Sequence, residues 1–501
     1  MRSLAVFILA CIFSLQSISQ TNSLTDSVKH KYQGELRTIA RSFSNYFYPN
    51  RDVLYGLAEK NFVIKVDSLR KTFMNVLDQY KMNPKADHAF VKKEQEEIHY
   101  FFDKLILDYP YFHELASNTK TKLSAPTQKR LDANLRDFNN PALLTNPDFK
   151  EYVRGFMHHH TQDELKKPAY KIMDNQRLNS ILAIIPKYIT NAACRNFWKY
   201  DYIYGHIDDW GVKNIASILA AFNASCKDTS YINTLNAMYA DGMRSRADHL
   251  IKTYKTVDGF PLDIHLFLPG KSSATTKYPA MVYFSGGSWT KGSPEWAFGN
   301  CTDYAKKGWV GVSVEYRLAD RHGTTAFDAV KDARTAIRWL RQHASEYNID
   351  TNRIVASGNS AGGHLVLSAA LSDQWNEKTD DLRYSASPNL LLVYSGVYDM
   401  IGDGNTSWIS KDLKDKNEVK KISPLHLIRE GLPPMLLFHG TNDHSVAFET
   451  AKSFEEAMKK TNNDFEFHSL EGASHEIWFE RRFYSSIDQW RNDFLKKHGY
   501  E

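Results

Sequence analysis

From about residue 22 to residue 240 the apolar residues return every three or four positions. Val66, Leu69, Phe73, Val76 and Leu77 fall on one face of a helix, and Ile215, Ile218, Leu219 and Phe222 on one face of another. No fixed-period self-similarity accompanies the pattern, so a helical repeat array is not expected. Near Asp248 the texture changes. Leu262, Ile264, Leu266 and Leu268 alternate with Asp263, His265 and Phe267, which predicts a strand after a turn at Asp258-Gly259. Short β-rich runs follow at Ala280–Phe284, Trp309–Val314, Ile354–Ser357, Leu390–Tyr394, Met435–His439 and Phe465–His468. Helical patterns separate most of them, as at Asp328–Ala344 and Phe448–Lys460. Strands alternating with helices predict an α/β domain, a mostly parallel sheet with helices on both faces, preceded here by an all-α domain. In such sheets reactive groups collect at the carboxyl ends of the strands.

Composition sharpens this division. A chain of 501 residues is too long for one core, and only five of its 25 glycines precede residue 241. Tight turns and close backbone approaches need glycine, so the two halves are built differently and the chemistry belongs to the second. The expected organisation is a signal peptide at 1–20, a helical domain at 21–242 and an α/β domain at 243–501. With 42% apolar and 24% charged residues, the chain is not of disordered, collagen-like or many-span membrane type. The net charge is +5 and no Lys/Arg run is dense, so no nucleic-acid partner is expected.

At the N-terminus, Met1-Arg2 precedes an apolar run from Leu4 to Leu15 and small residues at Ser17 and Ser19. That is the pattern of a secretory signal, too short to span a bilayer, and it predicts an exported protein without a membrane span. Beyond it the cysteines are Cys194, Cys226 and Cys301. An odd count without CxxC spacing argues against a zinc site or a disulfide scaffold, and leaves open a Cys194–Cys226 bridge or buried free thiols. The run His158-His159-His160 reads as a solvated surface stretch, because consecutive helical side chains diverge. No metal and no cofactor is expected.

The chemistry gathers in the loops after four strands. After Ser357 come Gly358-Asn359-Ser360-Ala361-Gly362-Gly363-His364 and an apolar helix, a G-x-S-x-G sequence between strand and helix. In that setting the serine sits on a strained turn as a nucleophile, and the Ala361 amide faces developing negative charge at a helix start. Serine needs a base to take its proton. The order Ser…Asp…His places the acid at Asp443, after Met435–His439, and the base at His475, after Phe465–His468. Asp399, after Leu390–Tyr394, is the rival acid, and His364 and His444 are supporting at most. The strand Ala280–Phe284 runs into Ser285-Gly286-Gly287-Ser288-Trp289, where the amides of Gly287 and Ser288 join that of Ala361 as an oxyanion hole. Trp289 and Trp478 flank these loops, placed to stack on a substrate ring or, more simply, to pack. The Asp-, Asn-, Gly- and Lys-rich insertion Ile401–Lys421 is either a cover for the site or a surface excursion.

From about Val282 to Gly499 the chain resembles the acetyl esterase/lipase-like branch of the α/β-hydrolase superfamily, which includes feruloyl and acetyl-xylan esterases. The resemblance rests on Phe284–Trp289, Glu315-Tyr316-Arg317-Leu318, Gly358–His364, Ser423-Pro424-Leu425, His439–Asp443 and Gly472–His475. It implies an α/β-hydrolase fold, with Ser360, Asp443 and His475 as a triad, Gly287, Ser288 and Ala361 as oxyanion donors, and no cofactor. It further implies hydrolysis of a carboxylic ester through an acyl-enzyme. For an exported member the expected substrate is a small-molecule or polysaccharide ester bearing acetyl or hydroxycinnamoyl groups. The chain departs from the pattern at Ser285 and Ser288, which stand where histidine or glycine is usual; backbone donors tolerate that change. A prolyl-oligopeptidase-like serine peptidase is a rival, opposed by Ala361 and by the helical front. So is a catalytically weak glycan-binding envelope protein, opposed by the complete set of reacting groups.

Overall fold

The computed structural model describes residues 24–171, 174–270, 276–402, 409 and 416–500. The expected signal segment at 1–20 and most of the 401–421 insertion lie outside the described residues. The chain divides into two compact units. One comprises the residues up to 167 together with 180–199, the other 168–179 together with 200 onward. A single cut at residue 242 does not reproduce this, because the helices Ala216–Ser225 and Thr229–Ala247 fall in the same unit as the sheet.

The first unit is helical. Its long helices are Leu24–Phe47, Glu59–Lys81, His88–Leu107 and Pro147–Leu165. Val66 and Leu77 are buried as the periodicity predicts, while Leu69, Phe73 and Val76 are half-buried on the same side. The core is unusually aromatic, with Phe62, Phe102, Phe138, Phe149, Tyr152 and Trp198 fully buried. One carboxylate is enclosed with them. Asp103 accepts from Arg70, from Arg130 at 3.1 Å and from Asn134 at 3.0 Å. Burial alone would raise its pKa, but the neighbouring Arg70 guanidinium and the hydrogen bonds hold it below the ordinary value. The histidine run is half-buried rather than solvated. His159 reaches Asp108 at 3.1 Å and His160 the Tyr188 hydroxyl at 3.2 Å, so neighbours in sequence serve different partners.

The second unit is built on eight strands: β1 (Leu250–Val257), β2 (Phe260–Phe267), β3 (Tyr278–Phe284), β4 (Val310–Val314), β5 (Ile349–Asn359), β6 (Leu390–Tyr394), β7 (Met435–Gly440) and β8 (Phe465–Leu470). Their order is β1-β2-β4-β3-β5-β6-β7-β8. The pairs β1–β2 and β2–β4 are antiparallel, and β3 to β8 are all parallel. Six predicted strand regions and the strand over β2 are therefore present. The additional β1 pairs with β2 through a turn in which Asp258 and Gly259 both have positive φ, 51° and 84°, the geometry that suits a two-residue hairpin.

Successive side chains on the central strands enter two separate cores. Ala280, Val282, Ile354, Ala356, Leu391, Val393, Met435 and Leu437 pack with the helices Ala326–Gln342, Ala361–Leu371 and Phe448–Met458. Met281, Val355, Leu390, Leu392, Leu436 and Phe438 pack on the other face with Tyr484–Lys497 and Tyr304. Both faces are covered, which is why these strands read as apolar runs rather than alternations. Cys194, Cys226 and Cys301 are buried free thiols. Among the described residues no helix is long and apolar enough to cross a membrane.

Buried charge fastens the edge strand β1 to the sheet's covering helix. Lys255 lies 2.5 Å from Asp332 and 2.7 Å from Glu377, and Arg317 shares both carboxylates at 2.8 and 3.0 Å. Removing Asp332 leaves two enclosed cations sharing Glu377, with Asp328 3.7 Å from Arg317 alone. Asp332→Ala should therefore cost about 3 kcal/mol of stability in urea unfolding. A change under about 0.5 kcal/mol would show that Glu377 and Asp328 suffice to neutralise the pair.

Candidate active site

Because β3, β5, β7 and β8 run parallel, the loops that follow them open at one edge of the sheet. Ser360 follows β5 at φ 54° and ψ −122°, a backbone conformation that costs a non-glycine residue about 1–3 kcal/mol. Close packing enforces it. A Cβ on Gly362 would collide with the Phe284 carbonyl at the end of β3, and a Cβ on Gly358 would collide with the backbone of Gly362. The two glycines of G-x-S-x-G thus let the helix Ala361–Leu371 start against the strands. The Ser360 amide donates to the Tyr394 carbonyl at 3.0 Å, and the His364 amide donates to the Ser360 carbonyl at 3.0 Å, which pins the turn on both sides.

Asp443 and His475 meet as the sequence predicts. His475 Nδ1 lies 2.7 Å from Asp443 Oδ2. The loops bearing them are joined by the Thr441 amide donating to the Leu470 carbonyl at 3.0 Å and the Asn442 amide donating to the Ala473 carbonyl at 2.9 Å. Asp443 is buried, whereas Ser360 and His475 are half-buried. The carboxylate also accepts from the amides of Ser445 and Val446 at 2.8 and 2.9 Å. The rival Asp399 is engaged elsewhere, accepting from the Ile401 amide at 2.9 Å. His364 is fully buried, its Nε2 2.7 Å from the Ile422 carbonyl, and burial pushes its pKa down to about 4. His444 is exposed.

One contributor was not picked out from the sequence. His439, the penultimate residue of β7, places Nε2 3.1 Å from Asp443 Oδ2, so the carboxylate lies between two imidazoles. Burial would raise the Asp443 pKa; the hydrogen bonds from His439 and His475 outweigh it and hold the acid well below the carboxylate range. A buried histidine in a strand gives no signal in sequence beyond that of a packing residue.

The loop after β3 lies against the serine. The Gly286 amide donates to Asn359 Oδ1 at 3.2 Å, and a Cβ on Gly286 would stand 3.3 Å from Ser360 Cβ. The Tyr316 hydroxyl donates to the Ser285 carbonyl at 2.7 Å. Beyond Gly287, at φ 108°, Ser288 and Trp289 both have left-handed backbones, φ 55° and 57°. Among the described residues the amides of Gly287 and Ser288 donate to no backbone carbonyl. Trp289 is buried, its ring edge-on to His364 with centroids 5.0 Å apart, so packing is the role its position supports. Trp478 is half-exposed, edge-on to His475 at 5.7 Å. The arrangement offers a hydroxyl on a strained turn, an imidazole oriented by a carboxylate, and backbone donors beside them. Among the described residues, no three His, Cys, Asp or Glu side chains are grouped to hold a metal ion.

Comparison with known proteins places this unit. The BD-FAE family model matches residues 262–458. Esterase LipC of Mycobacterium tuberculosis is 26% identical over 227 residues, covering 41% of this chain and 54% of that protein. The C-terminal half belongs to the α/β-hydrolase esterase family. A probable isoprenylcysteine alpha-carbonyl methylesterase of Arabidopsis thaliana is 25% identical over 257 residues, 46% of this chain and 52% of that one. The chain thus spans about half the length of these curated relatives. A solved structure, Thermogutta terrifontis esterase 2 phosphoramylated by tabun, is 35% identical and covers 51% of this chain and 96% of its own, with a TM-score of 0.48.

Two variants probe the hydrolase unit's site. In His439→Phe the Asp443 pKa should rise toward its ordinary value. A depressed carboxylate pKa contributes stability above the unfolded value near ~4, and that stability is lost as pH falls through the folded value. The variant's deficit against wild type should therefore be full at pH 7 and shrink progressively below about pH 4 in urea unfolding; a pH-independent deficit would sink this account. Ser288→Gly should retain turnover and gain up to about 1 kcal/mol of stability, because glycine relieves the left-handed backbone. Loss of turnover beyond tenfold would show instead that the serine hydroxyl takes part.

Proposed function

We propose that the hydrolase unit is a serine esterase in which Ser360 attacks the ester carbonyl. His475 accepts the serine proton, and the Gly287, Ser288 and Ala361 amides hold the oxyanion of the tetrahedral intermediate. When that intermediate collapses, the bond to the alcohol oxygen breaks, and His475 returns the proton to the departing alcohol. Water, deprotonated by the same imidazole, then attacks the acyl-Ser360 ester and releases the acid and the free serine. Asp443 holds the His475 tautomer and stabilises the imidazolium formed in each half. The observation that carries the reading is the strained Ser360 turn, opening at the same sheet edge as the Asp443–His475 pair.

The substrates proposed are acetyl or hydroxycinnamoyl esters of polysaccharides, met outside the cytoplasm. Support comes from the signal-like segment at 1–20 and the match to the BD-FAE family model. Fold alone does not choose among esters, so the half-exposed Trp478 beside His475 is the local feature suited to a ring.

The full chain should hydrolyse p-nitrophenyl acetate and be labelled by a fluorophosphonate. Ser360→Ala should abolish labelling and lower turnover by about 10³-fold or more. Equal labelling of wild type and Ser360→Ala would overturn the mechanism. Activity confined to long-chain lipid esters, with none on acetylated xylan or feruloylated oligosaccharides, would overturn the substrate class.

A further inference from the structure

The oxyanion loop is held from outside the sheet by the end of a helix that has no part in the reaction. The Gly287 carbonyl accepts from the Thr290 and Lys291 amides at 3.1 Å each and from the Thr290 hydroxyl at 3.2 Å. A peptide unit is planar and trans, so this carbonyl and the Ser288 N–H point in opposite directions from the same plane. Whatever fixes the carbonyl also aims that N–H, one of the proposed oxyanion donors.

Lys291 is in turn anchored by Asp209, in the last turn of the helix Ala192–Trp210. Lys291 Nζ pairs with the Asp209 carboxylate, and the Gly292 amide donates to the Asp209 carbonyl at 3.1 Å. The Trp296 indole donates to the Asp208 carbonyl at 3.0 Å. The final carbonyls of a helix have no intrahelical partner, and here the loop supplies two of the missing donors. A carboxylate at this end also opposes the helix dipole, so Asp209 is unfavourable there unless a cation meets it, as Lys291 does.

We infer that Asp209 and Lys291 are positioning residues for the esterase reaction, through which residues 200–210 set the direction of the Ser288 N–H. The inference rests on the esterase reading above. An oxyanion donor acts on the transition state, so its misalignment lowers kcat while KM changes little.

The test uses the full chain and p-nitrophenyl acetate, with kcat normalised to the Ser360 sites titrated by fluorophosphonate, and thermal melting measured in parallel. Asp209→Asn and Lys291→Met should each lower kcat by about 10-fold or more, below the 10²–10³ expected for losing a donor outright, with KM within about twofold. Lys291→Arg, which keeps the pair, should restore most of kcat. The double variant should be no worse than the weaker single variant, since both break one link. Normalised kcat within twofold of wild type in both single variants would overturn the inference, whether or not melting falls. So would a KM rise at constant kcat. If wild type shows no Ser360-dependent turnover at all, the esterase reading fails, and the inference with it; activity in wild type with unaffected variants fails the inference alone.

Discussion

Among the described glycines of the hydrolase unit, Gly362 makes the closest approach, against the carbonyl at the end of β3. It leaves no room for a Cβ, and so lets the helix Ala361–Leu371 begin against the sheet. From that approach follow the strained backbone of Ser360 and the adjacency of the Gly286 loop to the serine. The hydrogen bond from the Gly286 amide to Asn359 belongs to the same junction. The strain at one residue is small beside the apolar burial on either side of it, where Val355, Ala356, Leu365 and Val366 are excluded from solvent. A serine in a costly conformation is sustained by two cores that would have to separate for it to relax.

The acid and base are organised by a different means. Their strands are neighbours, and backbone hydrogen bonds between the following loops bring Asp443 to His475 without backbone strain. Electrostatics completes the job. Asp443 sits where burial would neutralise it, and is kept ionised by its hydrogen-bonding imidazoles. A second buried carboxylate of this unit follows the same rule. Glu315 is buried, yet Arg321 and Lys213 hold its pKa down to about 2 against the effect of burial.

Much of this was legible in the residues because the candidate site draws on short contiguous stretches of sequence. Glycines at fixed spacing around Ser360, and strand-ending loops at Asp443 and His475, leave marks that a single chain displays. The central strands were legible for a related reason, since burial on both faces makes them continuous apolar runs. The polar strand β1 was not, because its residues alternate irregularly between exposed and buried at the sheet edge. Nor were the supporting contacts. Asn359, Tyr316 and His439 look like ordinary strand-end, loop and core residues until their partners are known. Asp209 lies 82 residues from Lys291, with no motif to connect them. The border between the units escaped the reading as well. Glycine content marks where tight turns begin, near residue 241, whereas packing joins residues 168–179 and everything from 200 onward to the sheet.

That border has a bearing on how such a chain can be shortened or recombined. Asp174 forms a two-point pair with Arg321, and Lys213 bridges Asp263 and Glu315 at 2.7 Å each. A gene cut where the composition changes would leave Arg321 and Glu315 each without one of its counter-charges, and the amide of Gly292 without its acceptor. The smallest portable unit is therefore not the stretch that resembles known esterases. It comprises the sheet together with residues 168–179 and 200–247, and in any graft, fusion or permutation these belong in one piece.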